Sequence, residues 1–144
     1  MGKKSYSRPL IILLVEDNVA DEVLIRETLL EEDDFPTVVQ RVEDGMEALA
    51  FLRRTNKYTN AVRPDLVLLD LNLPRKNGFE VLEEIRSDSS LKDIPVIILT
   101  TSGAEEDVHK AHKLGADSYL FKPFDIHEFT DTIKKLNIPF FSGN

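Results

Sequence analysis

The sequence predicts an α/β protein: a doubly wound (βα)5 three-layer sandwich around a parallel five-stranded sheet with strand order 2-1-3-4-5. Three observations lead there. Short apolar runs alternate with amphipathic stretches of helical length, the pattern of repeated β-α-β units with right-handed crossovers. The first, third and fourth runs are almost continuously apolar, as strands covered on both faces are. Four runs end in carboxylate, hydroxyl or ammonium residues, and the carboxyl ends of parallel strands share one edge, where ligands bind.

Each element has its own signal. Leu10 to Val15 reads as the first strand and ends in Glu16-Asp17. In the following helix, Ala20, Leu24, Ile25 and Leu29 recur at spacings that line one face. The second strand, Thr37 to Val42 around Val38–Val39, carries Gln40 and Arg41 and so suits an edge. Leu66 to Leu69 is the third strand, closed by Asp70; Val96 to Leu99 is the fourth, closed by Thr100-Thr101-Ser102. Tyr119 to Phe121 is the fifth, closed by Lys122-Pro123. Helix starts are expected where a capping side chain precedes Glu by three residues: Asp44, Asn77, Ser102 and Asp125. Of these only Ser102 with Glu105 is a strict Ser/Thr capping box. Gly115 should end the fourth helix. Thr55 to Pro64 is polar and reads as a long surface loop.

Composition narrows the function. The 144 residues, 42 % of them hydrophobic, fit one globular domain. Net charge −8 argues against a nucleic-acid binder, because phosphate backbones are held by basic faces. No apolar run reaches the roughly 20 residues that span a bilayer, and no secretory signal is evident. The lack of cysteine is compatible with a cytoplasmic protein. His109 and His112 lie three apart, but no third ligand follows, so a solvated helix face is expected.

The strand order brings Glu16-Asp17 and Asp70 to either side of the switch point. Three carboxylates about 5 Å apart repel by roughly 3 kcal/mol per pair at an effective dielectric of 20. Such a cluster calls for a cation, and Mg²⁺ suits oxygen ligands. A carboxylate beside Mg²⁺ can attack a phosphoryl group, whose oxygens then need donors such as Thr100 and Lys122. Neither a Walker-type loop nor a G-x-G-x-x-G follows any strand, which disfavours a nucleotide enzyme.

These residues resemble the receiver domain of two-component response regulators, a flavodoxin-like fold. The resemblance rests on Glu16-Asp17, Asp70-Leu71-Asn72-Leu73-Pro74 with Gly78, Thr100 and Lys122-Pro123-Phe124, and spans Ile11 to about Leu136. It implies that Asp70 is the phosphoacceptor, and that Asp17 and Asp70 ligate Mg²⁺ with Glu16 partly through water. It further implies that the Asn72 backbone carbonyl completes the protein's share of the metal shell, and that Thr100 and Lys122 bind phosphoryl oxygens. Tyr119 is similar to the aromatic switch residue that follows Thr100 inward, and the Lys122–Pro123 bond is expected to be cis. The donor would be a sensor histidine kinase.

Glu16 stands where Asp is more usual, and Thr101 where Ala or Gly is frequent. The long loop and the tail Leu136 to Phe141 resemble the stand-alone regulators that partner bacterial phytochrome kinases. A single domain, 1–144, is expected, with a core of about 9–136 and an apolar tail at 137–144. The apolar tail Ile138-Pro139-Phe140-Phe141 could fold back over the fifth helix of a monomer and hide both phenylalanines; otherwise the two rings would stand in water, which suggests a homodimer built on that tail. The rival from another class is a haloacid-dehalogenase-type phosphatase, but that class carries a second Asp two residues after its nucleophile. Here that position is Asn72, which cannot protonate a leaving group. A receiver-like protein that takes no phosphate is the remaining alternative. The expectation is a self-modifying switch, not a turnover enzyme.

Overall fold

The computed structural model describes residues 8–101, 103–136 and 138. Five strands, β1 (Leu10–Val15), β2 (Thr37–Val42), β3 (Leu66–Asp70), β4 (Val96–Thr100) and β5 (Ser118–Phe121), alternate with five helices. The helices are α1 (Val19–Leu29), α2 (Gly45–Arg53), α3 (Gly78–Ser87), α4 (Glu105–Lys113) and α5 (Ile126–Lys135). All pairings are parallel and the order is β2-β1-β3-β4-β5, as the polar β2 predicts.

Alternation of side chains along the strands builds two cores. Leu13, Val15, Val67, Leu69, Val96 and Ile98 pack under α2, α3 and α4 through Leu49, Leu52, Val81, Ile85 and Ala111. On the other face of the sheet, Ile12, Leu14, Leu66, Leu68, Ile97 and Leu99 pack under α1 and α5 through Ile25, Leu29, Phe129 and Ile133. Ile138 joins this second core and is 1 % exposed. The tail therefore begins by folding back on its own chain, and Phe140 and Phe141 lie outside the described residues.

Local signals mostly act as expected. Asn77 with Glu80 and Asp125 with Glu128 form reciprocal capping boxes, although neither cap is Ser or Thr. Asp44 caps α2 in one direction, accepting from the Glu47 N–H, because the Glu47 side chain is taken by the Tyr58 hydroxyl. The long loop contains a 3₁₀ turn, Asn56–Tyr58, pinned by Tyr58 against the Phe51 ring at 5.3 Å. Gly115 follows α4 at φ +100°, a left-handed conformation that glycine adopts without steric cost.

Two expectations fail. The fourth helix begins two residues late, at Glu105, with Ala104 as its N-cap and no side-chain cap bond; Ser102 lies outside the described residues. Three acidic residues in its first turn, Glu105, Glu106 and Asp107, favour that start through the helix dipole instead. On α1, Ala20 is exposed and Leu24 is 55 % exposed. The sheet is reached by Ile25 and Leu29 alone, one helical turn apart, so the buried stripe is narrower than the sequence spacing suggests.

Candidate functional site

The strand order delivers the charged groups to one crevice. β1 ends at Val15, leaving Glu16 and Asp17 in the turn into α1, while neighbouring β3 ends on Asp70 itself. One oxygen from each of Glu16, Asp17 and Asp70 lies within 4.8 Å of the others. The turn is fastened from β2, where Arg41 Nε donates to the Glu16 carbonyl at 2.9 Å and Nη2 to the Asp17 carbonyl at 3.2 Å. Asn18 donates its N–H to Glu16 Oε2 at 3.2 Å and accepts from the Asp21 N–H at 2.9 Å, capping α1.

Lys122 arrives from the far side. Its N–H donates to the Thr100 carbonyl at 2.8 Å, tying the ends of β4 and β5 together, and its bond to Pro123 is cis. The ammonium donates to Glu16 Oε1 at 2.8 Å and Asp21 Oδ2 at 2.9 Å, and stands 3.4 Å from Asp70 Oδ2. Asp70 Oδ1 accepts the Asn72 N–H at 3.2 Å. The two Asp70 oxygens are thus distinct, one facing a cation and the other a backbone donor. Thr100 is fully buried. It follows Ile98 by two residues, so alternation turns it toward the core that also receives Tyr119. Tyr119 bonds to Thr100, which opposes the rise in its hydroxyl pKa caused first by burial and then by Asp107.

Burial sets the electrostatics. Glu16 is fully buried and Asp70 nearly so, whereas Asp17 is exposed. Burial pushes the Glu16 carboxyl up to about 7, with the Asp70 charge adding to the rise and the Lys122 hydrogen bond opposing it. Burial alone would lower Lys122, but its bonds to Glu16 and Asp21 and the Asp70 charge outweigh that and raise it. A carboxyl with a raised folded-state pKa stabilises the fold below its unfolded value and loses that contribution as pH climbs through the folded one. The metal-free protein should therefore lose thermal stability between about pH 4.5 and 7. Glu16→Gln should flatten that slope in melts run with EDTA, and an unchanged slope would remove Glu16 as its source.

The structure brings together Glu16, Asp17, Asp70 and Lys122, with Thr100 held beside them through the backbone. Asn72 is exposed at the rim, next to Asp70. An all-oxygen donor set of this kind suits a hard divalent cation. His109, His112 and His127 are exposed, and among the described residues no histidine joins such a cluster. Two residues of the site escaped sequence reasoning. Arg41 reads only as an edge-strand charge, and Asp21 only as an acid favourable to a helix N-terminus. Its place in the first turn of the helix that directly follows Glu16-Asp17 was the available signal.

Comparison with known proteins shows the family and the fold. The sequence profile of the response regulator receiver domain matches residues 12–134. The response regulator Rcp1 of Synechocystis sp. is 48 % identical over 115 residues, covering 79 % of this chain and 77 % of that one. The structure of the phosphorylated cyanobacterial phytochrome response regulator RcpA is similar at TM-score 0.80 and 44 % identity, covering 92 % of this chain and 99 % of the other. The Mn²⁺-bound form of Rcp1 gives TM-score 0.78 and 40 % identity, over 91 % and 99 % of the two chains.

Proposed function

This chain belongs to the response regulator receiver domain family, and on that premise we propose that it takes a phosphoryl group from a sensor histidine kinase onto Asp70. The observation that carries this is the meeting of three carboxylates with the Lys122 ammonium at the strand ends. An Asp70 oxygen attacks phosphorus, the bond to the donor's imidazole nitrogen breaks, and that nitrogen keeps the electron pair. Lys122 and the Thr100 hydroxyl hold the phosphoryl oxygens as their charge is redistributed. Asp17 and Asp70 would hold Mg²⁺ by their side chains, Glu16 partly through water, and Asn72 by its carbonyl. The bound metal supplies charge neutralisation between the carboxylates and the phosphoryl oxygens. Asn72, two residues after Asp70, offers no acid for repeated turnover, so the chain acts as a switch and not as a phosphatase.

The likeness to RcpA and to the bacteriophytochrome response regulator AtBRR (36 % identical, TM-score 0.79) supports a phytochrome as the partner kinase. The proposed compartment is the cytoplasm, where an ATP-dependent kinase generates the phosphohistidine donor. Among the described residues no helix is long and apolar enough to cross a membrane. The receiver unit is read as 9–136 within a single domain over 1–144.

The output face is read as α4, β5 and α5, because Thr100 is bonded to Tyr119 on the edge strand β5, which α4 and α5 flank on opposite faces. Addition of fluoroberyllate with Mg²⁺ should shift amide resonances around Asp70 and across 103–113 and 118–135. The same addition with EDTA in place of Mg²⁺ should leave them unmoved. Shifts confined to 70–72 would remove this output face, and no shift at all would remove the function.

A homodimer through the C-terminal region completes the reading. Since Ile138 is committed to its own core, the dimer contact would begin beyond it, at Pro139, Phe140 and Phe141. Burial of each phenylalanine would contribute roughly 1.5–3 kcal/mol. Sedimentation at micromolar concentration should show a dimer for the wild type and a monomer for Phe140→Ser/Phe141→Ser. A wild type that is monomeric throughout contradicts it.

A further inference from the structure

We propose that Asp21 is a positioning residue that holds the Lys122 ammonium back from Asp70, and so sets how tightly the site takes a phosphoryl group. This role presupposes Asp70 as the phosphoacceptor. An ammonium has three protons, and here its three acceptors are carboxylates on three different segments. Two contacts are short, 2.8 Å to Glu16 and 2.9 Å to Asp21, while Asp70 is at 3.4 Å. Lys122 is thus drawn toward α1 and away from the carboxylate it must serve.

One of those contacts must yield when a phosphoryl group on Asp70 claims a proton from Lys122. Burial decides which. The Glu16 side chain is 1 % exposed, whereas that of Asp21 is 37 % exposed. Releasing Glu16 would strand a carboxylate with little access to water, which is costly. Releasing Asp21 returns a carboxylate to solvent at small cost. Asp21 also lies outside the group of carboxylates close enough to share a metal. Its backbone is held independently of Lys122, because its N–H is bonded to the Asn18 cap. Leu24, Ile25, Pro123 and Phe124 line the cavity beside the pair and limit the room for the lysine stem to swing elsewhere.

The contact therefore opposes phosphoryl binding, and its removal should improve binding instead of impairing it. That sign separates positioning from a structural role, since a residue needed only for the fold would weaken binding or leave it unchanged. Fluoroberyllate, in saturating Mg²⁺, can be titrated against the wild type and Asp21→Asn while amide shifts near Asp70 are followed. Asp21→Asn should bind about two- to fivefold more tightly, the range of one partly screened ion pair. Asp21→Ser, whose hydroxyl also suits a helix's first turn, serves if Asp21→Asn misfolds. In a Lys122→Ala background the gain should vanish. Persistence there would trace it to the loss of one negative charge and overturn the proposal. Equal or weaker binding by both Asp21 variants also overturns it, and leaves the function of Asp70 standing. A wild type that takes up no fluoroberyllate removes both.

Discussion

Asp70→Asn is expected to abolish phosphoryl acceptance completely while leaving the fold intact. The substitution keeps the size of the side chain and an oxygen able to accept the Asn72 N–H. It removes the anionic oxygen that faces Lys122 and would attack phosphorus. The nearby carboxylates offer no substitute: Glu16 is fully buried against Lys122, and Asp17 sits in the exposed turn. Loss of one charge also relieves repulsion with Glu16, so the metal-free variant should be at least as stable as the wild type. Incubation with acetyl phosphate and Mg²⁺ followed by intact-mass measurement should show a phosphorylated wild type and an unmodified variant. A phosphorylated variant would move the acceptor to another residue.

Gly78→Ala should damage fold and site together. Gly78 opens α3, and a Cβ there would fall 2.5 Å from the Asp70 carbonyl oxygen and 2.8 Å from Leu71 Cα. Both are backbone atoms of a buried strand end, so no side chain can swing aside. Its N–H is also bonded to the Leu71 carbonyl at 3.0 Å, which seats the helix on the β3 terminus. Relief requires α3 to back away or Asp70 to shift, at a cost of about 1–3 kcal/mol, as for other overpacked sites. Because the displaced backbone carries Asp70, acceptance of phosphate should slow along with the loss of stability. Denaturant unfolding and acetyl phosphate labelling measure the two effects, and wild-type values for both would contradict the close approach.

The fold was legible because its signals agree. Apolar runs with polar punctuation define β1, β3 and β4, and Gln40 and Arg41 mark β2 as an edge, which favours the order that the sheet has. The carboxylates, Thr100 and Lys122 were legible because parallel strands end on one side. What escaped depends on packing that spacing does not reveal. Leu24 matches the apolar period of α1 yet is exposed, since only Ile25 and Leu29 reach the sheet. Ser102 resembles a cap, but acidic residues after Ala104 start the helix later. Asp21 and Arg41 carry the commonest surface charges, and only the folded chain shows one bonded to Lys122 and the other holding the acidic turn.

The most direct test of the account is to trap the phosphorylated chain. After reaction with acetyl phosphate and Mg²⁺, borohydride reduction converts an aspartyl-phosphate to homoserine, which peptide sequencing by mass spectrometry can locate. The account predicts homoserine at position 70 and nowhere else, with none formed when EDTA replaces Mg²⁺. Homoserine at position 17 or 21, or a phosphorylated chain with Asp70 intact, would contradict it.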